Sequence, residues 1–160
     1  MNKSKKNIGA LVGEYGAFIA LVFLVIVISI VSPEFRTASN FLNLLRQASF
    51  NGLIAFGMTC VILSDGIDLS VGSVVCFLGA IGGTLMVNKG WSTGSAMAIM
   101  LVVGLLSGCL QGFLIAYLNI PPWISTLAGY LAFRGWGTAI LDGLTISPMP
   151  DDFVKIFSGN

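Results

Sequence analysis

From Gly90 to Phe133 the chain runs 44 residues without a charged side chain. Three more such runs precede it: 19 residues from Tyr15 to Pro33, 18 from Gln47 to Ser64 and 20 from Leu69 to Asn88. A membrane-crossing helix needs about 20 apolar residues at a rise of about 1.5 Å each. The longest run is long enough for two crossings, and Asn119-Ile120-Pro121-Pro122 interrupts it. Two adjacent prolines remove two backbone donors and push the preceding residue out of the helical region. The pattern therefore predicts an all-α, polytopic transmembrane helix bundle of about five spans, near residues 15–32, 48–64, 69–88, 92–118 and 123–141. Residues 1–160 form one membrane domain in this reading, with 142–160 as a loop outside the cytoplasm. Helices are required, because backbone polar groups in lipid need partners within the chain.

Composition excludes other classes. Charged residues make up 9% of the chain and hydrophobic ones 56%, where soluble domains carry about 25% charged residues. A soluble fold this small leaves too much of its surface in water to hide such a sequence. The net charge of +1 comes with no basic stripe, so no nucleic-acid partner is expected. Histidine is absent, which removes the commonest general base and a common metal ligand. Cys60, Cys76 and Cys109 are widely spaced within apolar runs and read as small buried hydrophobes. No metal or cofactor is expected. The first span follows Lys3, Lys5 and Lys6, as in a signal peptide. Its apolar run is too long for one, Glu14 intrudes, and no clean cleavage site follows.

The same three lysines place the N-terminus in the cytoplasm. Alternation then puts 33–47, 89–91 and 142–160 outside, and 65–68 and 119–122 inside. Arg36 and Arg46 fall outside, against the rule. Residues 35–46 mix Phe35, Phe41, Leu42, Leu44 and Leu45 with Arg36, Asn40, Asn43 and Arg46. They read as a short amphipathic helix at the interface, capped by Ser39 or Asn40.

Glycines recur every fourth residue as Gly79-x-x-x-Gly83 and Gly104-x-x-x-Gly108-x-x-x-Gly112. That spacing puts them on one face of each helix, where backbones approach closely. Asp65-Gly66-Ile67-Asp68-Leu69-Ser70-Val71-Gly72-Ser73 carries two carboxylates between two apolar runs. A charge at the bilayer centre costs about 2.5–3.5 kcal/mol on insertion scales. The stretch therefore reads as a helix break lining water or protein, in which Asp68 or Ser70 suits a cap of the next helix. A solvated loop with a cap and an element of a solute path both fit these residues. Asn51, Thr59 and Gln111 lie within spans, as glue between helices or as solute contacts. Arg134 is an intramembrane charge that snorkels or pairs with a carboxylate.

No catalytic signature is present. The chain lacks Gly-x-x-x-x-Gly-Lys-Ser/Thr, His-Glu-x-x-His and Gly-x-Ser-x-Gly. Asp65 and Asp68 sit three apart in one connection and cannot face each other from separate helices, as a proton-sharing aspartyl dyad must.

Gly66-Ile67-Asp68-Leu69-Ser70-Val71-Gly72-Ser73 resembles the signature of the ribose/xylose/arabinose-type permeases of bacterial ABC sugar importers. Asn40-Phe41-Leu42-Asn43-Leu44-Leu45-Arg46-Gln47 is similar to the family's segment before its second span, and Gly57-Met58-Thr59 with Val61-Ile62 to the run into the signature. Ile120-Pro121-Pro122-Trp123-Ile124-Ser125-Thr126-Leu127-Ala128 with Arg134-Gly135 resembles a further block. Asp65 stands where the family carries a small residue, often glycine, and Trp123 replaces a phenylalanine. The chain looks like the N-terminal half of a permease with about ten spans of some 20 residues each.

The resemblance implies a transport subunit, not an enzyme, in the bacterial inner membrane. Its implied partners are a cytoplasmic ABC ATPase, an extracytoplasmic sugar-binding protein, a second permease copy and the lipid bilayer. Asp65, Asp68, Ser70, Ser73, Asn51, Thr59 and Gln111 are then candidates for the path or the helix break. An inert or scaffolding truncated half-permease and a secondary transporter fragment are the alternatives.

Overall fold

A computed structural model of the chain describes residues 8–158. Helix α1 covers Ile8–Val31, and a 3-10 turn follows at Pro33–Arg36. Helix α2 covers Ala38–Leu63. Helix α3 covers Val71–Gly83 and runs on through a π-helical turn at Thr84–Asn88. Helices α4, α5 and α6 cover Thr93–Ala116, Pro122–Leu141 and Asp151–Ser158. No strand occurs among the described residues. Val71–Asn88 and Thr93–Ala116 are long and apolar enough to cross a membrane, and Tyr15–Val31 is a shorter apolar stretch. Lys3, Lys5 and Lys6, which carry the expected orientation, lie outside the described residues.

The interfacial piece expected at 35–46 is not separate. Ala38 to Leu63 is one helix of 26 residues, about 39 Å long. The reason is local: no glycine or proline falls between Ala38 and Asn51, so nothing halts the helix. Its start is set by Thr37 rather than Ser39 or Asn40. The Thr37 hydroxyl donates to the Glu34 carbonyl at 2.7 Å and accepts from the Asn40 N–H at 3.2 Å.

The chain forms two compact units that divide between Leu53 and Ile54. In the first, none of residues 15–53 is buried. Phe18, Leu21, Phe23, Leu24, Ile26 and Ile30 of α1 all stand exposed. A helix apolar on all sides is at home in lipid or inside a larger assembly.

In the second unit α3 packs chiefly against α5 and next against α4. Among the described residues, four apolar ones are buried there: Ala80, Met86, Ala96 and Phe133. Seven polar ones are: Ser70, Ser73, Thr93, Ser107, Gln111, Ser125 and Thr126. Leu101, Leu105 and Leu131 point outward. Soluble proteins bury the opposite set. In lipid, burying apolar surface gains nothing, so small residues and interhelical hydrogen bonds form the interior. Cys60, Cys76 and Cys109 follow the same logic and correct the expectation that they are buried: all three are exposed.

Close approach uses partly unexpected glycines. Gly137 of α5 lies against the Phe77 backbone of α3, where an added Cβ would sit 3.4 Å from Phe77 Cα. Phe77 itself packs on Phe133 and Trp136, with ring centroids 5.6 and 5.9 Å away. Gly82 abuts Met100 of α4. Gly104 faces Leu78, and Gly83 faces Ile146 and Met149. Gly79, Gly108 and Gly112 have open space where a Cβ would stand.

The segment 142–160 holds more than loop. Asp152 on α6 accepts a hydrogen bond from the Thr93 hydroxyl at 2.6 Å, fastening α6 to the start of α4. That bond holds the Asp152 carboxyl below its ordinary value of 3.8.

Candidate functional site

The break between α2 and α3 begins with a helix stop. The Gly66 N–H bonds to the Val61 carbonyl at 3.0 Å and the Asp65 N–H to the Ile62 carbonyl at 3.0 Å. This is a Schellman motif. It requires a left-handed residue at the position of Asp65, whose φ is +59°. Glycine adopts that conformation without penalty, and aspartate is among the few others that tolerate it. Asp65 is exposed and terminates a helix.

Asp68 organises the entry into α3. Its Oδ1 accepts from the Ser70 N–H and from the Ser70 hydroxyl, both at 2.7 Å. Ser70 is the cap residue of α3, but its hydroxyl turns to Asp68 instead of to the helix. Ser73, one turn on, donates to the Ser70 carbonyl at 2.7 Å. Ser70 and Ser73 are both buried.

Two other helices join this break. Gln111 of α4 donates from Nε2 to Ser70 Oγ at 2.8 Å. Its Oε1 is buried with no partner. Thr126 of α5 offers its hydroxyl to the Pro122 carbonyl at 2.8 Å and to the Ile67 carbonyl at 3.2 Å. Gly129 gives Gln111 room, since a Cβ there would lie 3.2 Å from its amide. Ser125, beside Thr126, has a buried hydroxyl without a partner.

Asp68, Gln111 and Thr126 border a cavity of about 460 Å³. Its polar side chains are Ser64, Asp68, Gln111 and Thr126, and its apolar ones include Val61, Ile67 and Ile115. Gly108 and Gly112 line it as well, so the α4 glycine row widens a cavity there. Of the expected residues, Asp68, Ser70, Ser73 and Gln111 come together. Thr59 does not join them: it is exposed and bonds its own helix at the Ala55 carbonyl. Asn51 is exposed on α2 in the first unit. Arg134 is exposed on α5, and its guanidinium has no partner among the described residues. Ser125, Thr126 and Gly129 are the residues that sequence reasoning missed. Their signal was a hydroxyl pair just inside a proline-led helix start, with glycine one turn on.

The model of a permease family, described as the permease component of branched-chain amino acid transport systems, matches residues 40–158. The chain belongs to this family. Among curated relatives it is 37% identical to the ribose import permease protein of Haemophilus influenzae, over 97% of this chain and 48% of that protein. It is 45% identical to the xylose transport system permease protein of Escherichia coli, over 71% of this chain and 29% of that one. It is 41% identical to the ribose import permease protein of Bacillus subtilis, over 88% of this chain and 43% of that one. The chain thus spans about half the length, or less, of these relatives. No solved structure matches it. Membership in a permease family makes this a membrane protein and accounts for its outward apolar faces.

Proposed function

We propose that the chain is part of the membrane-spanning permease of a bacterial ABC importer for a monosaccharide or related small polar solute. The observation that carries this reading is its likeness to ribose and xylose permeases, which reaches 97% of the chain. A buried polar network beside a cavity, within an otherwise apolar bundle, supports it. In this reading a sugar-binding protein delivers the solute from outside, and an ATPase on the cytoplasmic face drives the cycle. The permease is a transport subunit, and the hydrolysis belongs to its partner. Five spans and a cytoplasmic N-terminus complete the proposal.

That orientation gives the observed elements definite roles. Residues 65–68 and 119–122, and with them the cavity, come to the cytoplasmic end of the bundle. Thr93, Asp152 and α6 come to the outer end, where the binding protein docks. The Asp68–Ser70–Gln111 network keeps the helix break in one geometry. Thr126 ties α5 to the same loop, so motion of α5 reaches the cavity. Alternating access is then a repacking of α3, α4 and α5 biased by ATP binding to the partner.

The test is uptake by cells that have lost their own pentose importers. Such cells, given the full-length polypeptide with its ATPase and binding protein, regain uptake of labelled ribose or xylose. Failure to regain uptake of any monosaccharide, with all three proteins present in the membrane fraction, would refute the proposal.

A further inference from the structure

The fold places the Arg134 charge deep within a span and leaves it without a partner among the described residues. Helix α5 has 20 residues, which makes it about 30 Å long, the thickness of a bilayer's hydrocarbon core. Arg134 lies about 18 Å from its start at Pro122 and about 10 Å from its end at Leu141. It shares an exposed face of α5 with Leu127, Tyr130, Leu131, Gly135 and Thr138. Ser125, Thr126, Phe133 and Gly137 are buried on the other side. A guanidinium facing hydrocarbon is costly, and intramembrane charges pair with an opposite charge or line water.

The chain's own carboxylates stand at other depths. In the five-span reading Glu14, Glu34, Asp142, Asp151 and Asp152 lie outside the spans, and Asp65 and Asp68 sit in the α2–α3 break. Thr126 bonds the Ile67 carbonyl at 3.2 Å, so that break is level with the start of α5, about 12 Å along the helix from Arg134. Asp142 caps the opposite end of α5, about 12 Å the other way. A second copy of the chain carries the same acids at the same depths. Lipid phosphates lie beyond both ends of the hydrocarbon core. The Cα–Cβ bond of a helical residue tilts toward the helix N-terminus, so the Arg134 side chain sets out toward the bilayer centre, away from the nearer headgroups. What fits is an acidic side chain at mid-depth, brought by a membrane segment outside residues 1–160. Relatives have room for one, since the chain covers 48% of the ribose import permease protein of Haemophilus influenzae.

We propose that Arg134 forms an intramembrane ion pair with an aspartate or glutamate on a membrane segment outside residues 1–160 of the same polypeptide, and that the α5 face around it is the seam for that segment. Gly135 stands beside Arg134 with open space where a Cβ would be, which lets the segment's backbone come close. Leu131 and Leu127, one and two turns earlier, are exposed and give the seam apolar surface that keeps water from the pair. The inference rests on the reading of the chain as part of a longer permease.

The test is thermal unfolding of the full-length polypeptide in mixed micelles, followed by loss of the folded peak on size exclusion. Arg134→Leu should lower the melting temperature by about 5 °C or more, because it strands a buried carboxylate. Arg134→Lys should stay within about 2 °C of the parent, since it keeps the charge. In the Arg134→Leu background, each Asp or Glu within a span beyond residue 160 is then changed to Leu. One of these changes should return the melting temperature to within about 2 °C of the parent, because neither charge is left unpaired. This rescue also decides the matter if Arg134→Leu alone fails to fold. A higher melting temperature for Arg134→Leu would mean that the charge faces lipid unpaired, and would overturn the proposal. Rescue by none of the acidic positions would overturn it too. Arg134→Cys, with Cys60, Cys76 and Cys109 replaced by alanine, should react with a water-soluble methanethiosulfonate only after unfolding. Rapid reaction in the folded protein would place position 134 on a water-filled path and would also overturn the proposal. None of these readouts depends on a solute or on ATP, so their failure leaves the transport reading standing. Absent uptake with the rescue intact would defeat the transport reading alone.

Discussion

Ser70→Ala should destabilise the bundle more than its size suggests. The change removes a hydroxyl that is 0% exposed and two hydrogen bonds, one to Asp68 and one from Gln111. An interhelical side-chain hydrogen bond in a membrane is worth about 0.6 kcal/mol on average. The two bonds together give about 1.2 kcal/mol. The Gln111 amide then has no partner at either end, and an orphaned buried polar group adds about 1 kcal/mol or more. The expected loss is about 2 kcal/mol. Gln111→Leu removes one bond and orphans less, because Ser70 still donates to Asp68, so about 1 kcal/mol is expected. In the double variant no amide is left stranded. Its loss should fall short of the sum of the single losses by about 1.5 kcal/mol, the shared bond counted twice plus the penalty of the stranded amide. Equilibrium unfolding of the purified protein in mixed micelles measures all three. Strict additivity would refute the reasoning, because it would mean that Ser70 and Gln111 do not share a bond.

Asp65→Gly should leave α2 intact and stabilise the protein by up to about 1 kcal/mol, since the position has φ +59°; a loss of stability in the same unfolding assay would count against the Schellman stop. Gly137→Leu should destabilise by about 1–3 kcal/mol or more, because its added Cβ already meets the Phe77 backbone at 3.4 Å; unchanged stability would show that α3 and α5 do not pack there. Asp68→Ala should lower sugar uptake while membrane levels stay within about twofold, because Ser70 loses both of its bonds to Asp68; unchanged uptake would remove Asp68 from the site. Thr93 lowers the Asp152 carboxyl below its ordinary value of 3.8, so the α6 contact is fully present above that pH and is lost as pH falls through the lowered value. Hydrogen exchange across residues 149–158 should therefore quicken in acid, and Asp152→Asn should remove that dependence; identical pH profiles for the two proteins would contradict the Thr93 bond.

The helices are legible in the sequence because two signals agree. Charge-free runs mark α1, α3 and α4, and the proline pair at 121–122 marks the start of α5. The N-terminal half of α2 is harder to read, because a mixed polar and apolar stretch suggests an interfacial piece. Helix continuity, however, depends on the absence of breakers and not on amphipathicity. Asp68, Ser70, Ser73 and Gln111 stand out as polar residues in apolar surroundings; two of the four lie in one helical break and Ser73 one turn beyond it. Thr126 and Gly129 do not stand out. Their role depends on which face of α5 meets the loop, and that is a property of packing three helices together. The glycine rows show the same limit. Four-residue spacing places glycines on a common face, but Gly104 on that face meets Leu78 while Gly108 and Gly112 open a cavity. Sequence periodicity defines a face without saying what lies opposite.

Energy coupling tests the central claim most directly. The full-length polypeptide would be reconstituted into liposomes with its ATPase and sugar-binding protein, and accumulation of labelled ribose or xylose followed. ATP on the ATPase side should drive accumulation against a gradient, and collapsing the proton gradient should leave it unchanged. Accumulation that persists without ATP and stops when the proton gradient collapses would contradict the account and make the protein a secondary transporter.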